Sequence, residues 1–449
     1  MAVDIDSLDT FVVAPWRLDA RGSQLHLDYR LEAARRSVHT FTETFDFPFL
    51  LDGSDPATAA VLDLLALVGG VSYYKIALPD RVEIEGIEPT TAALHLLRGV
   101  YGPGLAEFRY TNGRPLDQEL TLTARSKPPS SPAPRRELQR AVVPIGGGKD
   151  SAVTAELLAE AGVVTTLFTV GEHGPLARSA AVADRPRAVV RRHLAPEMLE
   201  LNRNGGLNGH APITAINSLL SLLVAIGTGS DAAVMSNEHS ASFPTLVHEG
   251  TPVNHQWSKG VEHERLLRAA LAASGADVPQ YFSLLRPLTE LAILQIFARY
   301  ERYHRAFVSC NDNYAVGGDA RATGWCANCP KCRFIYVGLA TRLDRPAMVD
   351  IFGVDMLDDM NQLHGFRELL GLETRPFECI GTPEETTAAI SIVAGRPEWA
   401  GSSVIDALIA DLPDHAEVAA KFAITEFDDE HHVPDVLVPT LVAAVDATR

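Results

Sequence analysis

Apolar and polar residues alternate along Leu25-His-Leu-Asp-Tyr-Arg-Leu31 and Val82-Glu-Ile-Glu-Gly-Ile87, which predicts two half-buried strands. Thr58–Val68 and Ala92–Val100 instead space their apolar residues as helices do, so residues 1–125 read as an α+β domain. The segment Ser126–Arg136 holds four prolines and three serines, which suit neither a helix nor a central strand, and residues 126–138 read as an extended linker. Beyond it, the apolar run Gln139–Ile145 ends in glycines, Asp150–Ala161 has helical spacing, and Gly162–Val170 is a second β-branched run. Strand, helix and strand in close succession form a βαβ unit, which implies a parallel sheet and an α/β fold. Further helices are predicted at Ile213–Ile226 and Glu262–Ala273, with a buried strand at Ala232–Met235 between them. This α/β domain is taken to span residues 139–342. A mainly helical region, 343–449, follows it and ends in the amphipathic tail Val436–Thr448.

Composition narrows the class. The 449 residues suggest two to four domains, and 39 basic against 57 acidic side chains leave a net charge of −18. That balance argues against nucleic acid, whose phosphates need a basic face, but not against an anionic small molecule met by a local cluster of donors. Met1–Asp9 carries three aspartates and no basic, apolar signal. The longest apolar stretch, Ser218–Gly227, falls short of the roughly 20 residues that span a bilayer. Four of the five cysteines lie between Cys310 and Cys332, which suggests a metal or thiol site in a reducing compartment and hence a cytoplasmic enzyme.

The segment Pro144-Ile-Gly-Gly-Gly-Lys-Asp-Ser151 carries the clearest chemistry. Gly146, Gly147 and Gly148 let the backbone turn sharply before a helix N-terminus, where free amides and the helix dipole favour an anion. Lys149 offers a mobile positive charge, Ser151 a hydroxyl, and Asp150 a carboxylate suited to magnesium or to the first helical turn. The set suits a polyphosphate, although a plain glycine turn is the simpler reading, and it matches neither the Walker nor the dinucleotide pattern. It resembles the Ser-Gly-Gly-x-Asp-Ser loop of the adenine-nucleotide α-hydrolase-like (PP-loop) ATP pyrophosphatases, with Gly146 where that superfamily has serine. The resemblance implies ATP cleaved to pyrophosphate, magnesium, and adenine near the second strand's end, at Phe168 and Val170.

Cys310, Cys326, Cys329 and Cys332 are separated by fifteen, two and two residues, a spacing that can close a tetrahedral zinc site. A C-x-x-C-x-x-C run also suits iron–sulfur ligation, and Cys310 could be an unrelated core thiol. Resemblance to the zinc site of the 7-cyano-7-deazaguanine synthases favours structural zinc. Cys379 stands apart and reads as a buried small residue.

Three polar stretches, Asn202–His210, Met235–Ser242 and Val253–Lys259, hold more polar groups than packing needs. The second follows a buried strand, at the end where parallel sheets bind ligands. Glu238, His239, His255 and Lys259, together with Asp150, are the catalytic candidates because they exchange or donate protons after modest tuning. Arg203 and Arg333 are candidates for holding carboxylates or a diphosphate. Asn208, His210, Asn237 and Asn254 complete the expected substrate contacts.

Taken together, Asn208–Asn217, Ser236–Ser240, Val253–Lys259, Trp325–Phe334 and Pro376–Gly381, with a looser match at Val71–Pro79, resemble the UDP-N-acetyl-α-D-muramoyl-L-alanyl-L-glutamate epimerases, the MurL family. The resemblance implies inversion of the terminal L-glutamate of a UDP-linked muramoyl dipeptide, with ATP and magnesium, in peptidoglycan precursor synthesis. Other ATP pyrophosphatases, such as a deazaguanine-synthase-like ligase or a tRNA-modifying thiolase, are the alternatives. The absence of an N-terminal catalytic cysteine and the acidic charge disfavour them.

Overall fold

The computed structural model describes residues 5–172, 174–310, 324–421 and 427–448. The chain begins with strands β1 (Thr10–Val13), β2 (Arg17–Leu18), β3 (Gln24–Ala33) and β4 (Arg36–Asp46), then helices α1 (Pro56–Gly69) and α2 (Val71–Tyr74). Strand β5 (Arg81–Ile84), helices α3 (Thr91–Tyr101) and α4 (Ala106–Thr111), and strand β6 (Thr121–Thr123) follow. The central segment alternates: β7 (Arg140–Pro144), α5 (Lys149–Glu160), β8 (Val164–Val170), α6 (Gly174–Ala183), β9 (Arg187–His193), α7 (Pro196–Arg203), α8 (Ile213–Thr228) and β10 (Ala232–Met235). A small hairpin, β11 (Leu246–His248) with β12 (Thr251–Val253), precedes α9 (Val261–Ser274), β13 (Gln280–Ser283) and α10 (Glu290–Phe297). The remainder is helical: α11 (Pro330–Ala340), α12 (Arg345–Phe352), α13 (Leu363–Leu369), α14 (Pro383–Ala394), α15 (Ser403–Asp411), α16 (His415–Lys421) and α17 (Val438–Asp446).

Eleven strands form one sheet in the order β13-β10-β7-β8-β9-β4-β3-β1-β5-β6, with β2 beside β3. From β13 to β9 all neighbours are parallel. Counted from β7 in chain order, these five strands lie 3-2-1-4-5, the doubly wound arrangement, whose order reverses between β7 and β10. Alternate residues explain why helices cover both faces. Ala141, Val143, Ala232, Val234 and Phe282 enter one core with α5, α10, α11 and the C-terminal helices. Val142, Ala233 and Tyr281 enter the other, with α1, α3, α8 and α9. Strands buried on both sides read as continuous apolar runs, as these do. The α/β class and the parallel sheet expected from the βαβ pattern are present.

The N-terminal strands, antiparallel from β4 to β1 and parallel from β1 to β6, join the same sheet, because β4 pairs with β9 through Thr44↔His193, Phe45↔Arg192 and Asp46↔Arg191. Residues 124–138 form no helix or strand, yet they are held: Ser130 N donates to Ala273 O at 2.9 Å and Gln280 Nε2 to Arg136 O at 2.7 Å.

One expectation needs correction. Among the described residues the stretch Pro56–Tyr74, 19 residues across α1 and α2, exceeds Ser218–Gly227 and is long and apolar enough to cross a membrane. A strict run count misses it because Asp63 and Ser72 interrupt it. Here 83% of its apolar window is buried in the protein, and its middle is held by Trp16 Nε1 donating to Asp63 Oδ1 at 2.8 Å and Tyr29 Oη to Ala66 O at 3.0 Å.

At the β4–β9 seam Glu43 is fully buried and ion-paired with Arg192, which also donates to Ser72 Oγ at 2.9 Å. Burial pushes the Glu43 carboxyl upward and the Arg192 guanidinium opposes it. Arg192→Leu would strand that carboxylate, and urea unfolding should show a loss of about 3–5 kcal/mol. The further change Glu43→Gln should restore much of it.

Candidate functional site

The order reversal between β7 and β10 leaves a crevice at the carboxyl ends of both strands. The glycine loop leaves β7 there, and the Ser236–Ser240 segment leaves β10. Between them lies a cavity of about 290 Å³ lined by Gly146, Gly148, Asp150, Ser151, Ser236, Asn237, Lys259, Ser309 and Lys331, among others. Gly148 caps α5 without any side-chain acceptor, so the first helical amides are left for a ligand. Gly147 sits at φ +85°, and a Cβ on Gly148 would come within 2.7 Å of Ser309 Oγ, whereas one on Gly146 would meet open space. Ser236 Oγ, Glu238 Oε1 and Ser240 Oγ are buried without a hydrogen-bond partner. Unsatisfied buried acceptors and donors cost about 1–3 kcal/mol each unless a ligand meets them.

Lys149 is not the mobile cation its position in the loop suggests. Its side chain is buried and ion-paired with Asp150 and Glu290 of α10. Burial works against the ammonium, but the two carboxylates overcome it and hold Lys149 charged. Burial pushes Glu290 upward against the pull of Lys149, while at Asp150 Lys149 overcomes burial and holds the carboxyl below the usual range. The positive charges that line the crevice are the half-buried Lys259 and Lys331. The second of these is hidden, in sequence, inside the Cys-Pro-Lys-Cys turn.

Arg286, fully buried, builds the floor: it donates to Glu238 O at 2.6 Å, to the Lys259 carbonyl, and to Glu264 Oε2 at 3.2 Å. It therefore ties the second polar stretch to the third.

The third stretch reaches a second group of ionisable residues. Lys259 Nζ lies 3.2 Å from Cys379 Sγ. His255 Nδ1 lies 2.5 Å from Glu107 Oε2 of α4, and His210 Nδ1 lies 3.7 Å from the same oxygen. The two imidazoles pack with centroids 4.6 Å apart. Burial drives His210 down to about 4, helped by His255. At His255 burial is outweighed by Cys379 and Glu107, which raise it to about 9. Lys75 Nζ donates to the carbonyls of Gly209 and His210, and burial lowers it to about 8. Lys75, Glu107 and Cys379 were all missed by sequence reasoning. Lys75 alone among them had a local signal, as a lysine inside the apolar Val71–Pro79 run.

Several predicted residues are placed elsewhere. Arg203 is exposed at the end of α7 and bonds its own helix at Leu199 O, 3.2 Å away. Arg333 is buried and committed to Gln362 Oε1 at 2.9 Å and Asn328 Oδ1 at 2.8 Å. His239 pairs with Asp428 of the C-terminal segment. Asn254 shapes its own turn, accepting from Gln256 N at 2.7 Å, and Asn208 is exposed, with Oδ1 accepting from Gly209 N at 2.9 Å. The Phe168 side chain is buried in the sheet core and Val170 is half-buried. Asn237 lines the cavity, anchored through its backbone to Ser283 Oγ at 2.6 Å.

The four sulfurs of Cys310, Cys326, Cys329 and Cys332 lie within 4.8 Å of one another, with pairs at 3.4, 3.7 and 4.0 Å. A tetrahedral zinc about 2.3 Å from each sulfur would separate them by about 3.8 Å, so the donor set fits zinc. Residues 311–323, between the first two cysteines, lie outside the described residues. Cys310 directly follows Ser309, and Lys331 lies between Cys329 and Cys332, so the cluster positions two walls of the crevice.

Fold and site define a doubly wound α/β protein with a polar ligand crevice at its topological switch point. Residues 2–284 match the family model described as the MurL N-terminal domain, and residues 306–423 that of the MurL C-terminal domain. A protein of Micromonospora sp. named UDP-N-acetyl-alpha-D-muramoyl-L-alanyl-L-glutamate epimerase is 40% identical over 436 residues, covering 95% of this chain and 96% of that protein. Proteins of the same name from Xanthomonas oryzae pv. oryzae (37% identity; 97% of each chain) and Salinispora tropica (38%; 93% and 92%) are also similar. The chain belongs to the MurL family.

Three outcomes follow for stability. Gly147→Ala forces an alanine to positive φ and should cost about 1 kcal/mol in denaturant unfolding, whereas Gly146→Ser should leave the melting temperature unchanged. Cys326→Ser should lower bound zinc, measured by elemental analysis, and reduce the melting temperature.

Proposed function

We propose that this protein inverts the terminal L-glutamate of UDP-N-acetylmuramoyl-L-alanyl-L-glutamate to D-glutamate, consuming ATP and releasing AMP and diphosphate through an acyl-adenylate. The observation that carries the reading is an uncapped helix N-terminus in a polar crevice, adjoining a cluster of proton-exchanging side chains. Its presence in a chain that aligns over 93–97% of its length with proteins named as epimerases supports the same reaction here.

A glutamate carboxylate resists loss of its Cα proton, because the product would be a dianion. Adenylation removes that charge and turns the carbonyl into an electron sink, so proton removal becomes feasible. Gly146, Gly147, Gly148 and Ser151 would hold the ATP phosphates at the α5 N-terminus, with Lys331 and Lys259 offsetting their charge and Ser236 supplying a hydroxyl. Phe168 and Val170, at the end of β8, would lie towards the adenine, through backbone rather than through the buried Phe168 ring. This loop, with the sheet behind it, is read as a PP-loop ATPase core. Magnesium would lower the phosphates' charge, and Asp150 and the unpartnered Oε1 of Glu238 fit it as acceptors. Zinc would be a closed structural site.

The substrate would enter from the histidine side, towards Asn237, His210 and His255, so that its glutamyl carboxylate meets the loop cavity beside Lys259. Inversion needs a base on one face and an acid on the other, and Glu238, His255 and Lys259 are the predicted residues placed to serve. A UDP-linked substrate and reduced thiols accord with a cytoplasmic enzyme. Neither a deazaguanine-synthase-like ligase nor a tRNA thiolase is favoured by the comparisons.

Incubation with ATP, magnesium and the UDP-linked dipeptide should yield AMP and D-glutamate, read by nucleotide chromatography and chiral analysis after hydrolysis. Absence of AMP, or AMP with unchanged L-glutamate, would refute the assignment. Asp150→Ala should reduce AMP formation by about 10²–10³-fold, the usual effect of losing one electrostatic contact at a reacting group.

A further inference from the structure

Cys379 lies in the loop between α13 and α14, half-buried, where three distant parts of the chain meet. Its sulfur is 3.2 Å from Lys259 Nζ, and Lys259 also lines the loop cavity. Its second neighbour is His255, whose imidazole lies close enough to favour the thiolate. Glu107 holds that imidazole, with Oε2 2.5 Å from Nδ1. A thiol beside an imidazole that a carboxylate orients, with an ammonium within contact distance, is the arrangement that generates a thiolate.

We propose that Cys379 is the catalytic group that exchanges the Cα proton of the activated glutamyl residue, with Glu107 as a positioning residue acting through His255. The inference rests on the epimerase reading and adds to it a residue that composition and spacing had assigned to packing. In the forward direction the Cα–H bond breaks and its proton forms the S–H bond. The electron pair moves into the acyl carbonyl, and a separate donor on the opposite face delivers a proton to Cα. Solvent then removes the proton from sulfur and reloads the donor. No oxidant or further reactant is needed.

The surrounding charges suit the role. Burial would raise the thiol, but Lys259, Lys331 and His255 outweigh it and bring Cys379 down to about 6. His255 is held up at about 9, with Glu107 and Cys379 favouring its cation. His210, kept neutral by burial, packs on the His255 imidazole with Lys75 behind it, and Glu378 precedes the cysteine in the chain. Base function therefore appears as pH rises through about 6.

The test compares AMP formation with exchange of the Cα hydrogen in deuterium oxide, using the full-length protein with ATP, magnesium and either glutamate epimer of the UDP-linked dipeptide. The wild type should form AMP and exchange; if it does neither, the epimerase reading itself fails. Cys379→Ala and Cys379→Ser should keep AMP formation within a few-fold while losing at least 100-fold in exchange from one epimer. Unchanged exchange in both variants would overturn the proposal, as would parallel loss of AMP formation and exchange in both. In the wild type the Cys379 peptide should be alkylated by iodoacetamide with a midpoint near pH 6, and His255→Gln should raise that midpoint. A midpoint at the ordinary thiol value of about 8.5 in both proteins would contradict the assignment. Glu107→Gln should lower the titration midpoint of His255, followed by its imidazole NMR signal, a shift that a purely structural role would not produce. A glutamyl mass increment on Cys379 during turnover would make it a nucleophile and overturn its role in proton transfer.

Discussion

The crevice depends on the fixing of one buried cation. An ammonium removed from water is costly unless its charge is matched at close range, and Lys149 is matched by Asp150 in its own loop and by Glu290 on α10. This pairing joins the start of α5 to a helix 141 residues further along, and so sets how the glycine loop stands against the sheet. It also turns the lysine away from solvent and leaves the backbone amides, Ser151 and the two outer lysines to face a ligand. Arg286 repeats the device one layer below, where Glu264 offsets its charge while its remaining donors hold two backbone carbonyls.

With loop and floor held in this way, the topology supplies the rest. The reversal of strand order opens the crevice, and the polar segments after β10 and before α9 line one side of it. The four-cysteine cluster is more than a distant staple, since it carries Ser309 and Lys331 to the opposite wall. The N-terminal strands extend the same sheet, and their helices bring Lys75 and Glu107 against the histidines. The loop cavity and the histidine–cysteine cluster thus adjoin and share Lys259.

Much of the architecture was legible from local pattern. Periodicity located β3, β7, β8, β10 and helices α1, α3, α5, α8 and α9, because strand and helix periods are imposed by backbone geometry that neighbouring residues alone reveal. The glycine loop was legible for a similar reason: a turn that needs glycine leaves its mark in consecutive residues. The apolar stretch Pro56–Tyr74 was underestimated because polar residues such as Asp63 and Ser72, each with a partner of its own, interrupt it. The Arg333 and Arg203 expectations rested on charge alone, and a guanidinium's partner is not a property of its own segment.

The amino-acid sequence by itself determined most element types, the parallel α/β class, the proline-rich seam, the glycine turn before α5 and the four-cysteine set. These follow from short-range sterics, burial patterns and ligand spacing. Only the tertiary structure decided that Lys149 faces inward, that Arg333 is committed to the cysteine turn, and that Glu107, His255 and Cys379 meet. The last contact spans 148 residues from glutamate to histidine, while Lys259 and Cys379 are 120 apart. No local period or spacing encodes such pairings, because they arise from the way the sheet and its covering helices bring distant segments to one edge.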